Sequence, residues 1–270
     1  VTHKNLNNGK ERLIHFPLSP KEFEDQVSEL FEVEHYKEGR VKDGVYVDLG
    51  ANIGLTALYF KDYARKYYAI EPSSQCFEAL KLNTQGMDIN YFNMAITPHN
   101  GKEFLKQTAK DSVPQTFFPL DNDKIYSREE VQCKSIDKFF EENKIEHVDV
   151  LKIDVEGSEF AIFPDDSFKK VADKIDLIIG ESHYTEQGGM PEFVPIILKD
   201  YGFKTRFVEL LRPNMIRNLF FTDVYGKEKK YDYAIKAFEL ADDKEKLNLV
   251  GDLCIKEEKI SQALEAYGLA

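Results

Sequence analysis

The chain has 270 residues, 42% of them hydrophobic, with three cysteines and a formal net charge of −12. That composition supplies a core for one large domain plus an appendage; it excludes collagen-like, disordered and membrane-embedded classes, and its acidity speaks against a nucleic-acid partner, which needs a basic face. No apolar run approaches the roughly 18 residues of a membrane-spanning helix, and Cys76, Cys133 and Cys254 lack CxxC spacing, which predicts inert thiols in a reducing, cytoplasmic setting rather than structural zinc.

Residues 1–43 read as a helical preamble. The stretch from Val1 to Glu11 is polar and has the pattern of neither a signal nor a transit peptide. Ser19 and Pro20 suit the N-cap and first turn of a helix, and Phe23, Val27, Leu30 and Phe31 follow at helical spacing, so this helix is expected to cover one edge of the core. From residue 44 the pattern changes. GVYVDL (44–49) is an apolar strand, 54–64 a helix after a glycine turn, 66–70 a second strand, and Ser73 or Ser74 caps another helix. A third strand is expected over 89–96, a β-excursion with a long loop over 97–134, and a short helix around 137–140. Strands follow at 148–155 and 175–180, then a helix at 192–201. The last two strands, 203–210 and 219–225, are too close for a crossover helix and must be antiparallel neighbours. The plan is α/β: a Rossmann-like, seven-stranded sheet of five parallel strands and a C-terminal antiparallel hairpin, within a domain spanning 44–227.

Residues 228–270 read as helical. Ala234, Phe238 and Ala241 recur as Ala263, Tyr267 and Ala270, and Leu247, Val250, Gly251 and Cys254 fall at tetratricopeptide-like positions, although the period is shorter than that repeat's. A small helical, TPR-like extension is expected here. One lone repeat cannot bury its own face, so it must pack on the sheet domain, a second copy or another protein.

Four motifs carry the chemistry. Asp48-Leu49-Gly50-Ala51-Asn52-Ile53-Gly54 closes the first core strand, at the carboxyl edge where open α/β sheets bind ligands. Gly50 and Gly54 let the backbone turn and approach a ligand. The loop differs from a G-x-G-x-x-G dinucleotide fingerprint, and its leading acid suits a cationic amino-acid group better than a phosphate. Glu71 ends the second strand, where an acid accepts hydrogen bonds from a ribose diol. Lys152-Ile153-Asp154-Val155-Glu156-Gly157-Ser158-Glu159 follows the fourth strand, and strand alternation would put Asp154 and Glu156 on one side. Gly180-Glu181-Ser182-His183 follows the fifth, with His183 the histidine best placed for base catalysis because its ordinary pKa is near neutrality.

With these motifs in view, the chain resembles the FkbM family of methyltransferases. The matching stretches are VDLGANIG (47–54), AIEPS (69–73), NMAI (93–96), SIDKFF (135–140), VDVLKIDVEGSEF (148–160) and IIGES (178–182). The resemblance implies S-adenosylmethionine as methyl donor and O-methylation of a hydroxyl on a sugar, glycan or secondary metabolite. It places Asp48, Gly50, Asn52 and Gly54 in the cofactor loop, Glu71 at the ribose, and Asn93 and Ala95 in the stretch flanking the adenine. Asp154, Glu156 and Glu159 match its D-x-E-G-x-E motif and Glu181 its final acid, while Gly180 stands where the family carries an apolar residue. Asp154, Glu156 and His183 are all candidates for the base, and the residues alone do not separate them. The motif leaves room for a divalent metal on Asp154 and Glu181, and nothing in the spacing requires one. Two rival readings are a nicotinamide-dependent oxidoreductase, disfavoured by the missing G-x-G-x-x-G, and a non-catalytic interaction protein working through 228–270, as a homo-oligomer or with another chain.

Overall fold

A computed structural model of the chain describes residues 2–5, 11–15, 20–107, 115–117, 124–183, 193–212 and 215–223. The expected helices of 228–270, and Cys254 with them, lie outside the described residues. The core is one seven-stranded sheet: β1 (Gly44–Leu49), β2 (Ala64–Ile70), β3 (Ile89–Phe92), β4 (Val148–Ile153), β5 (Ile175–Ser182), β6 (Lys204–Arg212) and β7 (Met215–Asp223). They lie in the order β3-β2-β1-β4-β5-β7-β6. The first five run parallel, and β7 is antiparallel to both β5 and β6. The expected sheet of five parallel strands and a terminal hairpin is therefore the observed one.

Among the described residues, seven short α-helices connect or cover the strands. They are α1 (Pro20–Val27), α2 (Leu55–Phe60), α3 (Ser74–Asn83), α4 (Ile136–Glu142), α5 (Glu159–Ile162), α6 (Asp166–Lys169) and α7 (Phe193–Asp200). Every residue of β1 is buried, as a strand covered on both faces requires. Alternation then sorts its side chains. Val45, Val47 and Leu49 join Phe139, Phe140, Phe163 and Phe168 on one face, while Tyr46 joins Phe60, Tyr67, Leu80, Val150 and Ile179 on the other. Phe23, Val27 and Leu30 complete that second layer, so the N-terminal helix does cover the core as its spacing predicted. It does not run on as a plain α-helix: 28–32 winds as a π-helix.

Residues 2–5 and 11–14 form a small antiparallel pair that the polar composition did not suggest. One side chain ties it down. The amide of fully buried Asn83 accepts from the His15 N–H at 2.6 Å and donates to the carbonyls of His15 at 2.9 Å and Ile53 at 2.8 Å. Asn83→Leu would leave these groups unpaired, and unfolding by urea is expected to show a loss of about 1–3 kcal/mol; an unchanged midpoint would show that the anchor contributes nothing.

The third expected strand breaks in two. β3 ends at Phe92, and Ala95–Ile96 joins a separate sheet with Gly101–Gln107, Gln115–Thr116 and Ser127–Lys134. Asn93 causes the break: its side-chain amide donates to the carbonyls of Glu71 and Pro72 at 2.9 and 3.0 Å. Cys76 and Cys133 are buried, and burial pushes both thiols up, away from the reactive thiolate. Among the described residues no helix is long and apolar enough to cross a membrane.

Candidate active site

The site lies at the carboxyl ends of β1, β2, β4 and β5, where the chain leaves the sheet in tight turns. After β1, Gly50, Asn52 and Gly54 all have positive φ, at 79°, 48° and 87°. The Gly50 and Ala51 N–H groups both donate to the Ile70 carbonyl at 3.0 Å, which clamps the loop onto the end of β2. The structure adds a packing reason for the glycines. A Cβ on Gly50 would lie 1.9 Å from the Asp154 carbonyl oxygen, and one on Gly54 would lie 2.7 Å from Leu80. The space a Cβ would take is filled by the protein's own backbone and side chains.

Glu71 is buried and grips the same loop. One carboxylate oxygen accepts from the Asn52 N–H and the other from the Ser73 N–H, each at 2.8 Å. Burial pushes Glu71 up to about 7, although the N–H groups of Ser73 and Asn52 pull the other way. Each oxygen keeps a lone pair for a ligand hydroxyl. Asn52 lines the cleft, and its side-chain oxygen is buried without a hydrogen bond.

Asp48 is 1% exposed and points to the face shared with Tyr46 and Tyr67. Its carboxylate accepts from the Tyr67 hydroxyl at 2.8 Å and pairs with Lys152, its register neighbour on β4, at 3.2 Å. Lys152 also donates to the Gly50 carbonyl at 2.7 Å and lies 3.6 Å from Asp154. Burial opposes its charge, but Asp48 and Asp154 outweigh burial and hold it cationic. The expected contact of Asp48 with a cationic ligand group is thus made internally, by Lys152. The sequence reading had assigned this lysine no role; the signal was a lone cation inside the apolar strand VDVLKI.

β4 stops at Ile153, so Asp154 and Glu156 do not lie on a strand, and the alternation argument for placing them together fails. A turn does the work. Glu156 has a φ of 51° and Gly157 one of 101°, and the Glu156 carbonyl accepts from the Thr116 hydroxyl at 2.6 Å. A non-glycine residue at positive φ persists only where its surroundings hold it. β5 instead runs two residues longer than expected, so Glu181 and Ser182 end the strand and His183 follows directly. Nε2 of His183 lies 3.6 Å from Glu156, 3.7 Å from Asp154 and 4.0 Å from Glu181, and Nδ1 lies 3.1 Å from Glu159.

These neighbours bear on the role expected of His183. Burial disfavours its charge, but Glu156, Glu159 and Asp154 win and push it up to about 10. With no cation in the cluster this favours the protonated ring, which has no lone pair to accept a proton; a cation bound at Nε2 would displace that proton. Gly180 also finds its reason here: a Cβ would lie 1.8 Å from the Ile153 carbonyl oxygen, so the apolar residue expected at this position would not fit.

The cleft between these turns is lined by Gly50 to Ile53, Lys152, Asp154, Glu156 and Glu181, and closed on its other side by the N-terminal segment through Glu29, His35 and Tyr36. The sequence reading had given that segment a covering role only. Asn93 sits beside Glu71, donating to its carbonyl at 2.9 Å. Ala95 does not: it packs with Leu105, Phe117, Val131 and Cys133 inside the small sheet.

The sequence profile of the Methyltransferase FkbM domain matches residues 48–205, more than half of the chain. No curated protein matches it. Among solved structures, an rRNA methylase from Streptococcus thermophilus aligns at 11% identity and a TM-score of 0.46, covering 78% of this chain and 98% of that one. The magnesium protoporphyrin IX methyltransferase of Synechocystis PCC 6803, with bound SAM, aligns at 11% and 0.44, covering 74% and 79%. Aeropyrum pernix fibrillarin, with natively bound S-adenosyl-L-methionine, aligns at 14% and 0.43, covering 68% of each chain.

Proposed function

The chain belongs to the FkbM methyltransferase family, and from that premise we propose that its cleft holds S-adenosylmethionine and directs its methyl group to the hydroxyl of an uncharged, sugar-like acceptor. The observation that carries this reading is the Glu71 grip on the loop after β1: a buried carboxylate at the end of β2 with lone pairs remaining, beside the buried, unsatisfied Asn52 oxygen. That is the equipment for a ribose diol and a neighbouring polar group. Glu71, Asn52 and the backbone of 50–53 would hold the cofactor, with Asn93 supporting Glu71 from outside. Bound there, S-adenosylmethionine supplies an electrophilic methyl carbon on a sulfonium.

The chain's own residues do the rest. Asp154 and Glu156 face the cleft from the turn after β4 and accept the proton that the acceptor hydroxyl loses. The closed wall at Glu29 and Tyr36 limits water, and holding the acceptor oxygen in line supplies much of the rate. Glu29, Asp154, Glu156 and Glu181 against Lys152 make the lining acidic. A phosphorylated or carboxylated acceptor would be repelled, which is why a neutral polyol is the class proposed.

Calorimetry with S-adenosylhomocysteine tests the cofactor half. Ribose hydroxyls donate to an ionised carboxylate, and Glu71 is protonated below about 7 in the free chain. Binding must then expel that proton, so affinity should rise nearly tenfold per pH unit up to about 7 and level off above it. Glu71→Gln should bind weakly and flatten the slope. No binding at any pH removes the assignment, and a slope that survives in Glu71→Gln removes Glu71 from it. Transfer of labelled methyl from S-adenosylmethionine to a panel of neutral and anionic hydroxyl compounds tests the acceptor half.

A further inference from the structure

Four carboxylates and one imidazole meet at the back of the cleft, and the methyl-transfer reading uses only two of them. Asp154 and Glu156 come from the turn after β4, Glu159 from the start of α5, and Glu181 and His183 from the end of β5. The ligand atoms of Asp154, Glu156 and His183 all lie within 4.8 Å of one another. Around Nε2 of His183 the carboxylate oxygens stand at 3.6, 3.7 and 4.0 Å. These separations are too long for hydrogen bonds. Ligands sharing one first-row cation, with bonds of about 2.0–2.2 Å, lie roughly 3.0–3.5 Å apart. The two pairs with His183 stand within a few tenths of an ångström of that range, and the whole set within 4.8 Å.

Acidic groups alone would not make a site; the histidine does. Nε2 is buried and makes no hydrogen bond. Its other nitrogen is tied at 3.1 Å to Glu159, which is fully buried and itself fixed by the Val155 N–H at 3.0 Å. A buried carboxylate on Nδ1 is the arrangement that sets a ligating histidine, since it fixes the ring and leaves Nε2 to face the metal. Here Nε2 faces three cleft carboxylates, Asp154 and Glu156 being the nearer two.

We propose that Asp154, Glu156 and His183 bind one divalent first-row cation, with Glu159 as the residue that positions His183 and Glu181 at the rim. The proposal rests on the methyl-transfer reading for its purpose: a cation there would bind the acceptor hydroxyl and lower its pKa. Oxygen donors with one imidazole and no thiol suit Mn²⁺ better than a soft ion, and the nitrogen favours it over Mg²⁺. The sequence reading had paired Asp154 with Glu181 for any metal; the structure brings Glu156 and His183 closer to Asp154 as a set.

Titrating the chelator-stripped full chain with MnCl₂, beside a titration of the same sample with S-adenosylhomocysteine, tests this. One Mn²⁺ per chain is expected. Asp154→Asn and His183→Gln should each weaken it at least tenfold, and Glu159→Gln by about 10–100-fold, with S-adenosylhomocysteine affinity held within a few-fold as proof of folding. A wild-type chain that binds S-adenosylhomocysteine but neither Mn²⁺ nor Zn²⁺ overturns the metal site and leaves the methyl-transfer reading standing. Mn²⁺ binding without S-adenosylhomocysteine binding supports the site and overturns that reading instead. Mn²⁺ affinity unchanged in His183→Gln also overturns the proposal, since the ion would then sit on other carboxylates.

Discussion

Asp154→Asn is expected to lower turnover about 10²–10⁴-fold, the range lost with a positioned proton acceptor, while S-adenosylhomocysteine affinity changes no more than a few-fold. The substitution keeps the shape of the side chain and removes its charge. That charge stands between two cations, Lys152 at 3.6 Å and His183 at 3.7 Å, and faces the cleft. Whether Asp154 takes the hydroxyl proton itself or holds a cation that lowers the hydroxyl's pKa, the negative charge is what acts, so the amide should fail in both roles. Addition of Mn²⁺ separates them, since a variant that has lost its ion regains rate at high metal and one that has lost its base does not. Single-turnover methylation of an acceptor found in the panel, read beside calorimetry, measures both quantities. A fall in affinity as large as the fall in rate would make Asp154 a cofactor-holding residue and remove it from the chemistry.

The sheet was legible because its signals are local. Each parallel strand is a short apolar run between turn residues, and the close spacing of the last two strands left only an antiparallel pairing. Which motif sits at which strand end follows from that order, and so Asp48, Glu71, Asp154 and Glu181 were expected at one edge of the sheet. What the sequence hid depends on distances across the fold. Lys152 is one residue in a motif until β4 is laid beside β1, when it proves to be the counter-ion of Asp48. His183 looks like a near-neutral base until Glu156, Glu159 and Asp154, more than 20 residues earlier, are packed around it. Ala95 shared a motif with Asn93, yet two residues along the chain it belongs to another sheet, because Asn93 turns the backbone at Glu71 and Pro72. The walls at Glu29 and Tyr36 carried no motif; only the packing of the 28–32 segment on α2, and of Tyr36 into the layer of Tyr46, brings them over the loop.

Gly50→Ala is expected to cost about 4 kcal/mol or more, the scale reserved for substitutions with a severe steric cause. Two penalties add. A φ of 79° puts any Cβ in the left-handed region, which costs roughly 1–2 kcal/mol. The Cβ would also meet the Asp154 carbonyl oxygen at 1.9 Å, and that oxygen belongs to backbone that cannot rotate away. Relief would require the ends of β1 and β4 to separate, which breaks the 3.1 Å bond from the Asp154 N–H to the Leu49 carbonyl and moves Asp154 itself. Gly86 isolates the first penalty: its φ is 86°, but a Cβ there has nothing within 4 Å. Gly86→Ala should therefore show only the smaller conformational cost, and urea unfolding of the two variants should differ by at least about 2 kcal/mol. Equal losses would mean that the approach of the two strand ends relaxes freely. A stable Gly50→Ala chain that has lost S-adenosylhomocysteine binding would restore the sequence-based view, in which the glycine makes room for a ligand rather than for the backbone that carries Asp154.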